Sequence, residues 1–140
     1  MSTRIDKTFE RCRSEKRAAL VVYATVGCPS PAESEAVIDR LIANGADMIE
    51  LGVPFSDPMA DGPVIQKAGQ LALAAGAKFD DVLAIAGRIR AKYPETPLIL
   101  FSYYNVLLNR GLDKRGGELA AAGIDGVQAV DLPLEERGEL

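Results

Sequence analysis

Short runs rich in β-branched and aromatic residues alternate with stretches of helical periodicity all along this chain, and that alternation leaves few folds open. The runs span 20–26, 47–51, 97–103 and 126–130. They are too uniformly apolar for a half-exposed sheet and read as strands buried on both faces. Between the first two, Ser30-Pro31-Ala32-Glu33 combines an N-cap serine, a proline at the first helical position and a capping-box glutamate. Ala36, Val37, Leu41 and Ile42 follow at helical spacing, and Asn44-Gly45 supplies the stop. Helices are expected over 63–75, closed by Gly76, and over 79–93, with Val82, Leu83, Ile85, Ala86 and Ile89 on the inner face. Another is expected over 112–122. An amphipathic helix over 3–17 precedes the first strand, and a further helix begins at Leu134-Glu135-Glu136. Strands separated by helical crossovers must lie parallel, so the class is α/β.

A doubly wound sheet and part of a barrel both fit that order. Two features favour the barrel. Val26-Gly27-Cys28-Pro29 stands after the first strand in place of a glycine-rich phosphate turn, and Thr25, Glu50, Tyr103 and Asp131 collect towards the strand C-terminal ends, where barrel active sites are assembled. The expected unit is one partial-barrel domain over 1–140, with four βα units in 20–140.

Composition narrows the chemistry. At 140 residues, 48% apolar and mean hydropathy +0.05, the chain can bury a core, which excludes a disordered segment. A net charge of −4 without a basic stripe argues against nucleic acid. The absence of histidine and the isolation of Cys12 and Cys28 remove Ser-His-Asp and Cys-His machinery and the usual zinc sites. Both thiols read as inert. No apolar run is long enough for a membrane span, and the polar start does not look like a signal peptide, so a cytoplasmic setting is expected.

The densest chemistry lies between the second strand and its helix, in Glu50-Leu51-Gly52-Val53-Pro54-Phe55-Ser56-Asp57-Pro58-Met59-Ala60-Asp61-Gly62-Pro63. Three carboxylates, three prolines and two glycines in fourteen residues make a shaped loop. Strand parity puts Glu50 with Met48 and Gly52, opposite Ile49 and Leu51. If the latter two meet the helices, Glu50 points into the barrel mouth, where desolvation raises its pKa and suits it to general acid or acid/base work. Asp61, on the loop, would stay ionised. Blander roles stand beside these: Glu50 as a structural hydrogen-bond partner, Asp57 and Asp61 as turn residues, and Tyr23, Phe101, Tyr103 and Tyr104 as core or rim aromatics.

The run 50–66, Glu-Leu-Gly-Val-Pro-Phe-Ser-Asp-Pro-Met-Ala-Asp-Gly-Pro-Val-Ile-Gln, closely resembles the signature of the tryptophan synthase α subunit family. Tyr23-Ala-Thr-Val-Gly-Cys-Pro29, Phe101-Ser-Tyr-Tyr-Asn105, Ala122-Gly-Ile-Asp-Gly-Val127 and Val130-Asp-Leu-Pro133 extend the resemblance in the family's order. It implies the N-terminal half of a (β/α)8 TIM barrel, four parallel strands with their helices. It also implies a lyase that cleaves indole-3-glycerol phosphate to indole and glyceraldehyde 3-phosphate in tryptophan biosynthesis. By that resemblance Glu50 is the principal acid/base, Asp61 bonds the indole N–H, and Tyr23, Phe101, Tyr103 and Val130 line the indole pocket. No cofactor is implied for the chain itself, since pyridoxal phosphate belongs to a β subunit that receives the indole in an α2β2 complex. The loop 54–61 lies near that contact.

Three positions depart from the family pattern. Cys28 replaces a usual Asp, Leu134 replaces a common proline, and Gln128 takes a usually apolar pocket position, where an unpartnered amide costs roughly 1–3 kcal/mol. A barrel of this type runs to about 250 residues, so the chain is expected to be a fragment or truncated product without the phosphate grip of later loops. The alternative is an inactive half-barrel that associates with itself or with a β subunit through its open edges. Another phosphate-substrate barrel is a weaker third reading.

Overall fold

A computed structural model describes residues 2–109 and 111–139. Four strands, β1 (Val21–Thr25), β2 (Met48–Gly52), β3 (Leu98–Ser102) and β4 (Gly126–Ala129), form one sheet in sequence order, every neighbouring pair parallel. The crossovers are α2 (Pro31–Ala43), then α3 (Pro63–Ala74) with α4 (Phe79–Lys92), then α5 (Tyr104–Leu108) with α6 (Leu112–Ala121); α1 (Arg4–Ser14) precedes the sheet. This is half of an α/β barrel.

Local chemistry sets the helix ends. The Ser30 hydroxyl accepts the Glu33 N–H at 3.3 Å, and Pro31 opens α2. The first helix is shorter than its periodicity suggests. Lys16 takes a positive φ of 54°, and the Arg17 N–H donates back to the Cys12 carbonyl at 3.1 Å, closing the helix at Ser14 by a left-handed cap. Two differences lie near the C-terminus. The helix expected from Leu134 is a 3-10 helix, Leu134–Glu139. The short α5 goes unannounced by periodicity because it is barely more than one turn, started where the Asp131 carboxylate accepts the Tyr104 N–H at 2.7 Å.

The sheet's two faces differ in chemistry. Ile49, Leu51, Leu98 and Leu100 are fully buried against Ile38, Val82, Ile85 and Ile89 of the helix layer, each such side chain contributing about 1.5–3 kcal/mol. The opposite, interior face carries two register rows: Tyr23, Glu50, Ile99 and Gly126, then Thr25, Gly52, Phe101 and Gln128. Glu50 therefore sits mid-strand rather than at a strand end.

The floor of the sheet is held by two matching carboxylate latches. Buried Asp47, just before β2, accepts the Leu20 N–H at 2.8 Å and bonds to Arg11 and Arg17, both at 2.6 Å. Asp125, just before β4, accepts the Leu98 N–H at 2.9 Å and bonds to Arg4 at 2.8 Å and Arg90 at 2.5 Å. The partners, led by Arg17, hold the Asp47 carboxyl well below the usual carboxylate range.

Candidate active site

The site is built on the interior face of β2 and the loop that follows it. Glu50 is half-buried and lies beside Tyr23 in the β1–β2 register. Among the described residues, no hydrogen bond or ion pair engages its carboxylate. Two positions along, Gly52 makes room for the Tyr23 ring: a Cβ there would stand 2.2 Å from the Tyr23 hydroxyl and 2.4 Å from Cζ. Seated over the glycine, the ring meets Phe101 edge-on, centroids 5.1 Å apart, and its hydroxyl accepts from Thr25 Oγ1 at 3.2 Å.

Five contacts hold the loop 53–62 in shape. The Val53 N–H extends the sheet by donating to the Phe101 carbonyl at 2.9 Å. Phe55 stacks on Tyr103, centroids 5.0 Å apart. The Ala60 N–H donates to the Tyr103 hydroxyl at 2.9 Å. From the first turns of α3, the Gln66 amide donates to the Asp61 carbonyl at 2.9 Å and to the Pro58 carbonyl at 3.4 Å. Asp61 is thereby fixed next to Tyr103 and does not cap α3, whose N-cap is Gly62 without a side-chain bond.

The tyrosines register the charge around them. Burial raises the pKa of Tyr23, and the negative charges of Asp61 and Glu50 push it the same way. For Tyr103 burial again leads, with Asp61 close enough to act through both its charge and its side chain. Glu50, Asp61, Tyr23 and Tyr103 thus share one electrostatic neighbourhood. Phe101 joins them through Tyr23, and half-buried Val130 follows β4 with its N–H bonded to the Ser102 carbonyl at 3.0 Å, on the interior parity of Gly126 and Gln128.

Other sequence candidates lie apart. Asp57 is exposed and bonded by the Ser56 hydroxyl, and Asp131 caps α5. Gln128 is exposed on the interior face, so the buried-amide penalty does not arise here. Cys12 is buried, Cys28 half-buried, and both are free thiols. No cluster of three metal-ligating side chains occurs among the described residues, and no helix among them is long and apolar enough to cross a membrane. Sequence reasoning missed Gly52 as the seat of Tyr23, Phe55 as a stacking partner and Gln66 as a clamp. All three lie inside the 50–66 run, whose density of special residues was the available signal.

The sequence model of the tryptophan synthase alpha chain family matches residues 9–140. This chain belongs to that family. A tryptophan synthase alpha chain of Rhizorhabdus wittichii is 50% identical over 138 residues, 99% of this chain and 51% of the relative. One from Zymomonas mobilis is 48% identical, with 99% and 50% covered. Among solved structures, the alpha subunit of tryptophan synthase from Legionella pneumophila superposes with a TM-score of 0.95 at 43% identity, over 99% of this chain and 53% of that one. Tryptophan synthase from M. tuberculosis in an aminoacrylate-bound form gives 0.92 at 37% identity, over 97% and 55%. The chain spans about half the length of the tryptophan synthase alpha chains it matches, and over that span the half-barrel is the family's.

Proposed function

We propose that this chain carries the acid/base and indole-binding part of a lyase that cleaves indole-3-glycerol phosphate to indole and glyceraldehyde 3-phosphate in tryptophan biosynthesis. The observation that supports it best is the juxtaposition of an uncommitted carboxylate, Glu50, with a loop-clamped one, Asp61, beside the aromatic wall of Tyr23, Phe101 and Tyr103. In this reading Glu50 delivers a proton to the indole ring carbon that bears the glycerol chain, making that carbon a leaving group. The Glu50 carboxylate left by that transfer takes the proton of the neighbouring hydroxyl, the carbon–carbon bond breaks, and its electron pair neutralises the protonated ring as the hydroxyl carbon becomes an aldehyde. Protonation spreads positive charge towards the ring nitrogen, and the Asp61 carboxylate accepts the indole N–H hydrogen bond where that charge develops. Val130 completes the wall beyond β4.

Residues 1–140 act here as one partial-barrel unit that needs no cofactor of its own. The partner in this reading is a tryptophan synthase β subunit, with its pyridoxal phosphate, reached through the loop 54–61, in an α2β2 arrangement. Two free thiols fit a reducing, cytoplasmic setting. The test is cleavage of indole-3-glycerol phosphate by the purified chain, with and without a β subunit, against Glu50→Gln and Asp61→Asn. Each substitution is expected to lower turnover by at least about 100-fold, as loss of acid/base or charge stabilisation does. Activity unchanged in both variants would remove Glu50 and Asp61 from the chemistry.

A further inference from the structure

Within β3 and β4, the face turned to the interior is apolar or bare at every position but one. Ile99 and Phe101 supply it on β3, and Gly126 and Gln128 on β4. Gln128 stands opposite Phe101 in the register, in the row Thr25, Gly52, Phe101 and Gln128. That placement follows from strand pairing alone and is a property of the sheet itself. Among the described residues, no hydrogen bond engages the Gln128 amide, which carries one acceptor oxygen and two donor N–H bonds. The other polar side chain of the row, Thr25, donates its hydroxyl to Tyr23 at 3.2 Å. Gln128 thus brings amide chemistry to a face that is otherwise aromatic and aliphatic on this side of β2.

The chemistry of the proposed reaction selects which part of an indole comes to this amide. Glu50 addresses the ring carbon that bears the glycerol chain, and Asp61 addresses the ring N–H. Those two atoms flank the apex of the five-membered ring, so that ring is held at β2 and its loop while the six-membered ring projects away. Its outermost atoms are carbons 5 and 6. On the β1 side the way is closed by Tyr23, whose ring lies over Gly52 and meets Phe101 edge-on with centroids 5.1 Å apart. The six-membered ring therefore extends over Phe101 towards β4, where Gln128 stands two strand spacings from β2, about 10 Å. An amide at that end discriminates with a definite sign. A bare C–H edge displaces water from the amide without replacing its hydrogen bonds, whereas a hydroxyl or amino substituent pairs with it. An apolar side chain at the same position would favour the opposite order.

We propose that Gln128 is a specificity-determining residue that selects indole rings carrying a hydrogen-bonding substituent, hydroxyl or amino, on carbon 5 or 6. The inference rests on the lyase reading and makes its substrate class more specific. Binding of indole, 5-hydroxyindole and 6-hydroxyindole to the purified chain, followed by titration calorimetry, tests it beside Gln128→Met. Methionine keeps the length of the side chain and removes the amide. Gln128 is exposed on the interior face, so the variant is expected to keep the urea midpoint of the unmodified chain. The unmodified chain is expected to bind at least one of the two hydroxyindoles about 5-fold more tightly than indole, the scale of one net hydrogen bond. In Gln128→Met the order is expected to reverse, with indole bound the more tightly. Equal affinities in the unmodified chain overturn the proposal, as does a hydroxyindole preference that survives Gln128→Met. The two readings fail separately: indole bound without discrimination refutes the role of Gln128 alone, whereas binding of none of the three probes removes the indole pocket and the role of Gln128 with it.

Discussion

Substituting Gly52 by Ala tests whether the interior wall is built around one missing side chain. The new Cβ would stand 2.2, 2.4 and 2.6 Å from the hydroxyl, Cζ and Cε2 of Tyr23, whereas ordinary contact begins at 3.4 Å, so the ring must retreat by about 1.2 Å at its tip. The ring cannot do so and keep its neighbours. It gives up the edge-on contact with Phe101, about 0.5–1.5 kcal/mol, and the hydrogen bond from Thr25, a further 0.5–1.5 or so. Alanine in a strand recovers roughly 0.5–1 kcal/mol relative to glycine. The expected net is a loss of about 1–2 kcal/mol, which for a chain of this size lowers Tm by about 3–7 °C. Thermal and urea unfolding at one fixed protein concentration, followed by tyrosine signals, would measure it. The companion variant Tyr23→Leu removes the obstacle, and in the double variant the Gly52→Ala penalty should largely vanish. A double-mutant cycle with coupling below about 0.5 kcal/mol would show that the ring does not depend on this glycine.

Asp47→Asn leaves Arg11 and Arg17 facing a neutral amide and should lower the urea midpoint, by the modest amount of a pair whose guanidiniums keep access to water. Wild-type stability should also be acid-sensitive with a defined sign. Because Asp47 holds its proton less readily folded than unfolded, its contribution is fully present above the ordinary carboxylate pKa of about 4 and is lost as pH falls below it. Asp47→Asn should flatten that dependence, and an unchanged acid profile would contradict the assignment. Tyr103→Phe keeps the stack on Phe55 but removes the acceptor of the Ala60 N–H, so exchange of that amide should quicken by about 5-fold or more, corresponding to loss of about 1 kcal/mol. Gln66→Leu should loosen the same loop from the other side, seen as faster proteolysis between residues 54 and 62, with the sheet's own amides unaffected.

The fold was legible because periodicity, caps and turn residues agreed. Ser30-Pro31 and the glycines at 45, 76 and 123 marked boundaries that the structure reproduces within a residue or two. One element was missed because a side chain remote in sequence decides it. Asp131 starts α5 from 27 residues away, and no local pattern in 104–108 announces it. At the site, parity alone placed Glu50 opposite Ile49 and Leu51, and this is where it lies. What parity could not supply was the support around it. That Gly52 exists for Tyr23, or that Gln66 fastens Asp61 through its carbonyl rather than its carboxylate, depends on distances across elements, to which residue type gives no access.

The two carboxylate latches beneath the sheet have a further consequence. Each ties the backbone at the start of one strand to an aspartate 27 residues later, and the two ties are displaced from one another by 78 residues, Leu20 to Leu98 and Asp47 to Asp125. Each therefore fastens its own βαβ module at the end opposite the chemistry, the first over β1, α2 and β2, the second over β3, α6 and β4. One helix closes both: α1 gives Arg11 to the first latch and Arg4 to the second, so it braces the two modules together across the seam between β2 and β3 that runs beneath Glu50.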